Sequence, residues 1–339
     1  MLLSLAFIFI IGMTLGKVFA RFKLPSLVGM LLTGIFIGPY VLNILDPTIL
    51  GISTELRKIA LIIILTRAGL NLDIEDLKKV GRPAILMCCI PACFEIAGMI
   101  LLAPVFLDVT YLEAAIMGTV VAAVSPAVIV PRMLTLMENG YGRDQSIPQM
   151  IMASGSVDDV FVIVLFTACT SLAQGTNVSA MNFLVIPTSI IFGLLVGIAL
   201  GYILNIIFTK IHIRDTEKVL ILLSISFILV TIEDYITGNI GFSGLLAIMA
   251  MGATIQNKRV ELSRRLSEKF TRLWSGAEIL LFVLVGATVN IQYALKAGVA
   301  AIILILCVLV FRVFGVFVCL IKTKLNKKER IFSAMAYMP

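Results

Sequence analysis

Apolar runs of about 20 residues recur along this chain from end to end, and a helix of that length crosses the roughly 30 Å hydrocarbon core of a bilayer. No other feature limits the fold as tightly. Inside a bilayer every backbone amide and carbonyl needs a partner within the protein, so spanning segments are helices or closed barrels. These runs are continuously apolar and too long for strands, which selects helices. We read spans over residues 1–19, 25–43, 55–72, 84–106, 111–131, 148–173, 182–208, 217–236, 240–256, 272–291 and 295–321, with a twelfth starting near Glu329. The chain has 339 residues, 60% of them hydrophobic and 14% charged, so no stretch is left over for a soluble domain. The fold class is therefore all-α and polytopic, with a single transmembrane domain over 1–339. The first run lacks a basic leader and a small-residue cleavage site, so it reads as a span and not as a removable signal peptide.

The loops set an orientation. Those after odd-numbered spans hold Lys17, Arg21 and Lys23, then Lys78, Lys79 and Arg82, then Arg132 and Arg143, then Lys210, Arg214 and Lys218. The series continues with the basic run from Lys258 to Arg272 and closes with that from Lys322 to Arg330. The alternate loops hold only Arg57, Lys58 and Lys296, and Arg67 and Arg312 fall inside spans. Basic residues concentrate on the cytoplasmic side. The N-terminus is thus expected outside and the basic loop 257–272 inside, in a multi-pass protein of the cell (inner) membrane. The net charge of +7 is explained by this alternation, so a nucleic-acid partner is not expected. The six cysteines, at 88, 89, 93, 169, 307 and 319, lie in apolar runs as packing residues, and the single histidine, His212, sits in a basic loop. No metal-ligand spacing, nucleotide fingerprint or nucleophile triad appears, so neither an enzyme nor a cofactor is expected.

The sixth span carries Asp158 and Asp159 with apolar sequence on both sides. A charge at the bilayer centre costs roughly 2.5–3.5 kcal/mol or more, and such residues mark ion or proton pathways. The pair is read as a site that holds a cation and a proton in turn. Neighbouring helical residues point about 100° apart, so the two carboxylates do not share one face. Ser125, Ser154 and Thr119 are candidate neutral ligands, although hydroxyls in membrane helices more often bond the backbone.

Two further features organise the site. Leu27-Val28-Gly29-Met30-Leu31-Leu32 resembles Phe242-Ser243-Gly244-Leu245-Leu246-Ala247, and Arg67-Ala68-Gly69-Leu70-Asn71-Leu72-Asp73 resembles Leu284-Val285-Gly286-Ala287-Thr288-Val289-Asn290. Both matches are seven spans apart, and an odd offset inverts one copy, the plan of many secondary transporters. Within this repeat Pro126 breaks span 5 and frees carbonyls near Val121–Ala123. Its partner, span 12, reaches Pro339, where the sequence stops; it is read as cut within a second broken helix. Glu95 in span 4 and Arg312 in span 11 are repeat partners and are expected to form a buried ion pair. Glu278, near the cytoplasmic end of span 10, is a funnel candidate, a neutraliser of Arg312 or an interfacial residue. The stripes Gly29/Gly34/Gly38 and Gly193/Gly197/Gly201 allow close helix packing.

Pro25-Ser26-Leu27-Val28-Gly29 running to Gly38-Pro39 resembles the second helix of monovalent cation:proton antiporters. Arg67-Ala68-Gly69-Leu70, Val124-Ser125-Pro126-Ala127-Val128-Ile129-Val130-Pro131, Gly140-Tyr141-Gly142, Gly155-Ser156-Val157-Asp158-Asp159 and Glu278-Ile279-Leu280-Leu281-Phe282 are similar to the NHA-type sodium/hydrogen exchangers. The resemblance implies the inverted-repeat antiporter fold with crossed broken helices. It implies a homodimer, with core spans over about 55–173 and 272–339 and scaffold spans over about 1–43 and 182–256. It makes Asp159 the carrier of Na⁺ (or Li⁺) and H⁺ with Asp158 beside it, and it matches Glu95 and Arg312 to a core ion pair. In that branch a lysine follows the second broken helix's proline, a position beyond Pro339. Exchange of Na⁺ or Li⁺ for H⁺ by alternating access is the expected function. A K⁺/H⁺ antiporter is the alternative, and a sodium-coupled organic-anion carrier a more distant one.

Overall fold

The computed structural model describes residues 1–22, 24–72, 81–142, 145–173, 181–211, 213–236 and 241–338. Within its helices, the side chains of 126–127, 156, 159–160, 167, 171, 181–186 and 293–297 are outside that description. The described residues form helices joined by turns. They are α1 (Leu2–Arg21), α2 (Ser26–Ile37), the short α3 (Pro47–Gly51), α4 (Ser53–Leu70), α5 (Arg82–Met87), α6 (Ile90–Leu107), α7 (Tyr111–Ala122) and α8 (Pro126–Glu138). There follow α9 (Ile147–Ala173), α10 (Met181–Lys210), α11 (Asp215–Tyr235), α12 (Gly244–Lys258), α13 (Val260–Thr288), α14 (Ile291–Cys319) and α15 (Lys327–Ala336). Among the described residues, five stretches are long and apolar enough to cross a membrane: α1, the run Arg82–Leu107, Pro187–Lys210, α13 and Gly298–Cys319. The chain is a multi-pass membrane protein.

The helices depart from the expected spans at three places, each with a local cause, and span 5 breaks where Pro126 predicts it. Span 4 is interrupted at Cys88–Cys89, because Pro91 near the start of α6 has no amide to continue the turn from α5. Span 5 is two helices, with Ala123 and Ser125 extended between them. In α14 the backbone leaves helical geometry at Gly298, which adopts a φ of 59° that favours glycine. The basic loop expected over 257–272 is mostly helix, since α13 starts at Val260. Its Leu262, Leu266 and Phe270 recur at helical spacing and are buried, so the charges occupy the other faces of a regular helix.

The chain packs as two compact units. Unit 1 comprises Met1–Ile64 and Glu268–Gly298, and unit 2 comprises Leu65–Ser267 and Val299–Pro339. In unit 1, α2 and α13 touch backbone to backbone: a Cβ on Gly34 would meet the Val283 carbonyl, and one on Gly286 the Leu31 carbonyl. In unit 2, a Cβ on Gly69 of α4 would meet the Met249 carbonyl of α12. These two contacts are counterparts under the repeat. Aligning Gly29 with Gly244 aligns Gly34 with Met249, and the second pair of matching segments aligns Gly69 with Gly286. The same close approach recurs where α10 crosses α12. A Cβ on Gly193 would lie 2.7 Å from the Ser243 carbonyl oxygen, and one on Gly201 2.7 Å from that of Met251. Near the start of α11, Asp215 binds Lys218 at 3.0 Å and Arg265 of α13 at 2.8 Å, and the Arg265 guanidinium holds its carboxyl below the usual range.

Candidate ion-binding site

The site is built in unit 2 where α7 stops short. Proline at 126 pushes the residue before it toward extended backbone and suits the first turn of a new helix. Accordingly α7 ends at Ala122 and α8 opens at Pro126, the first helical residue. A helix end leaves carbonyls without intrahelical partners. That of Ala122 accepts a hydrogen bond from Arg312 Nη1 at 2.9 Å.

Arg312 comes from α14 and joins five segments. Its Nη1 also donates to Glu95 Oε2 on α6 at 2.5 Å. Its Nε donates to the carbonyl of Tyr337, just past α15, at 2.7 Å. Its Nη2 lies 3.6 Å from Asp158 Oδ2 on α9. Its guanidinium carbon sits 5.1 Å from the centre of the Tyr337 ring. Arg312, Glu95, Asp158 and Tyr337 are all fully buried. The α6–α14 approach is close because glycines flank the pair: a Cβ on Gly98 would lie 2.7 Å from the Phe311 ring, and one on Gly315 2.8 Å from the Pro91 Cα.

Two carboxylates thus share one guanidinium. Neither oxygen of Asp158 has a close hydrogen-bond partner among the described residues, although the Val124 backbone reaches toward the carboxylate from the break in span 5, and Glu95 Oε1 and Arg312 Nη2 have none. With all three groups ionised the cluster carries one uncompensated negative charge. Burying such a charge without a partner is costly, so the cluster is chemically suited to take up one cation or one proton.

The other sequence candidates distribute around it. Asp159 follows Asp158 in α9, and its side chain lies outside the described residues. Thr119 donates to Ile116 of its own helix at 2.8 Å and Ser154 to Met150 at 2.7 Å, so both hydroxyl protons go to backbone. Ser125 caps α8 without a side-chain hydrogen bond to the helix and is partly buried. Pro126 contributes through its backbone, as the start of α8. Glu278 lies eighteen residues into α13, in unit 1. Arg67, also buried, donates to Glu138 Oε1 of α8 at 3.0 Å. A cavity of about 570 Å³ with apolar walls, bordered by Cys88, Ser154, Val157, Leu246 and Thr254, reaches α9 one turn from Asp158. Among the described residues no group of three or more His, Cys, Asp or Glu side chains converges to hold a metal.

Sequence reasoning missed Tyr337. Its hydroxyl donates to the Met87 carbonyl at the α5–α6 interruption, at 3.0 Å, and Ser154 lies beside it. One signal was available. If Pro339 is the repeat counterpart of Pro126, Tyr337 is the counterpart of Val124, whose backbone acts on Asp158 from the break in span 5.

The family described as "sodium/hydrogen exchanger, transmembrane" matches residues 4–339. The chain belongs to the sodium/hydrogen exchanger family. Among curated members, sodium/hydrogen exchanger 9B2 of Mus musculus is 30% identical over 351 residues, which cover 100% of this chain and 63% of that protein. The 9B2 exchanger of Homo sapiens is 32% identical over 325 residues, 93% of this chain and 59% of that protein. The chain therefore spans about 60% of the length of these curated exchangers. The fold of this exchanger-family chain is that of the sodium proton antiporter MjNhaP1 from Methanocaldococcus jannaschii, with a TM-score of 0.80 at 21% identity over 98% of this chain and 80% of the other. The fold class is accordingly the inverted-repeat cation/proton antiporter fold with broken helices.

Proposed function

We propose that this protein exchanges Na⁺ (or Li⁺) for H⁺ across the membrane, with Asp158 and Asp159 carrying cation and proton in turn. The observation that supports this reading most is the buried cluster of Glu95, Asp158 and Arg312, short of one positive charge, with both Asp158 oxygens lacking a close hydrogen-bond partner among the described residues. Such oxygens suit a hard monovalent cation, and the same atoms hold a proton when the cation leaves. Competition between the two for one carboxylate site couples their movements, provided the site opens to one side at a time. The relatives, sodium/hydrogen exchangers and a sodium proton antiporter, favour Na⁺ over K⁺. In this reading Glu95 and Arg312 stabilise the core and set the local charge. The core spans over about 55–173 and 272–339 move against scaffold spans that form a homodimer, in the cell membrane with the N-terminus outside.

The test reconstitutes the protein in liposomes under an imposed pH gradient with an internal pH dye. Na⁺, Li⁺ and K⁺ are added in turn, beside Asp158→Asn and Asp159→Asn variants. Proton movement driven by Na⁺ or Li⁺ and abolished in Asp159→Asn is the expected result. A response to K⁺ alone would replace the reading with K⁺/H⁺ exchange, and silence with every ion would overturn it.

A further inference from the structure

Arg312 and Asp158 present an unmade bond. The Arg312 Nη2 and both Asp158 oxygens are buried without close hydrogen-bond partners among the described residues, yet they stand 3.6 Å apart. A charge-assisted hydrogen bond of this type closes at about 2.7–2.9 Å. Less than an ångström of movement would satisfy both groups, so the rest of the cluster must be holding them apart.

Three bonds set the guanidinium in place. Two of them, to Glu95 and the Ala122 carbonyl, fix Nη1. The third, from Nε to the Tyr337 carbonyl at 2.7 Å, fixes the opposite edge. A planar group held at both edges cannot swing its remaining nitrogen. Among the described residues Tyr337 alone holds both an edge and a face, since its ring also lies 5.1 Å from the guanidinium carbon. The ring is itself immobilised: it is fully buried and its hydroxyl donates to the Met87 carbonyl at 3.0 Å.

We infer that Tyr337 is a positioning residue that holds Arg312 off Asp158 and so keeps the Asp158 carboxylate open to a cation. This rests on the reading of Asp158 as part of the cation site. An arginine bonded directly to Asp158 would occupy the lone pairs a cation needs and compete with it. Tyr337, past the end of α15, thereby couples the second broken segment to the affinity of a site on α9.

The experiment compares Tyr337→Leu and Tyr337→Phe with the parent in two arms. In the transport arm, Tyr337→Leu keeps the backbone carbonyl but removes the ring that braces the guanidinium face and the bond to Met87 that anchors the residue. It raises the KM for Na⁺ about five- to tenfold, the size of one desolvated cation–π contact, while the maximal rate per folded protein is kept. Tyr337→Phe keeps the ring over the guanidinium and loses only the bond to Met87, so its KM rises by less. A loss of packing alone lowers the amount of folded protein and leaves KM where it was. An unchanged KM in folded Tyr337→Leu overturns the proposal. Where the Leu chain does not fold, the Phe variant decides it by the same criterion, with KM raised about twofold expected from its partial release.

The structural arm does not depend on transport. In the Leu variant Arg312 Nη2 is expected to close on Asp158 Oδ2 from 3.6 Å to about 2.9 Å. A distance that stays at 3.6 Å overturns the proposal. If the parent itself moves no protons with Na⁺, the exchange reading falls by itself, and this distance still decides the role of Tyr337.

Discussion

Replacing Arg312 leaves Glu95 and Asp158 buried in one cluster with no counter-charge between them. It also strips a donor from the Ala122 carbonyl at the end of α7 and another from Tyr337. Breaking a buried pair from one side costs about 3–5 kcal/mol, because the partner left behind stays buried and charged. Arg312→Met is therefore expected to lower the thermal unfolding temperature in detergent strongly. Glu95→Gln, which keeps its shape and can still accept from Nη1, lowers it less. The double variant is expected to lose less than the two single losses combined, since each removes the same contact. An Arg312→Met protein that melts with the parent would overturn this account of the core. Much of this cluster was legible at the level of single residues. Asp158, Glu95 and Arg312 stand out because a charge within an apolar run needs a partner, and the repeat itself pairs Glu95 with Arg312. Tyr337 was not legible in that way. A tyrosine is at home in membrane segments and interfaces alike, and its part here comes from a backbone carbonyl and a ring face, which sequence does not display.

At the scale of helices, proline and glycine decide the architecture more than propensity does. The break at Pro126 was readable because an interior proline removes a donor and pushes its predecessor to extended backbone. The same rule applied to Pro91 would have located the Cys88–Cys89 interruption, which the apolar run concealed. The opposite error came from charge. Residues 260–272 looked like a loop because they are basic, whereas Leu262, Leu266 and Phe270 already marked a buried helical face. Two glycines of one helix separate packing from propensity. A Cβ on Gly286 of α13 would strike the Leu31 carbonyl, a backbone atom that cannot step aside, whereas one on Gly276 would meet only the Phe9 ring at 4.0 Å. Gly276→Ala is expected to gain up to about 1 kcal/mol, the intrinsic preference of a helix interior for alanine. Gly286→Ala is expected to destabilise by more than that gain, by forcing α2 and α13 apart. Thermal unfolding of the two single variants checks the contrast, and equal behaviour would mean that the α2–α13 contact is not as close as described.

For the molecule as a whole, the question is whether each broken segment completes one crossing. The two halves of span 5, α7 with 12 residues and α8 with 13, each extend only about 18–20 Å at 1.5 Å per residue, well short of the hydrocarbon core. Joined through the extended residues 123–125 they are long enough, at the expense of backbone groups that must find partners inside the protein, as the Ala122 carbonyl does. The alternation of basic residues makes the same claim independently, since Arg132 within α8 and Arg143 beyond it belong to the far end of span 5 and no basic residue lies between spans 4 and 5. Tyr111 and Tyr141, at the two ends of this segment, are 70% and 65% exposed, so each can carry a reporter. In a background with the six native cysteines replaced, Tyr111→Cys is expected to react with a membrane-impermeant maleimide only from outside the cell. Tyr141→Cys, and Arg264→Cys on the basic face of α13, are expected to react only from the cytoplasmic side. Labelling of Tyr111→Cys and Tyr141→Cys from one side would show that the broken pair turns back within the bilayer. The site at Asp158 would then be reached from a single face, and exchange by alternating access around it would be ruled out.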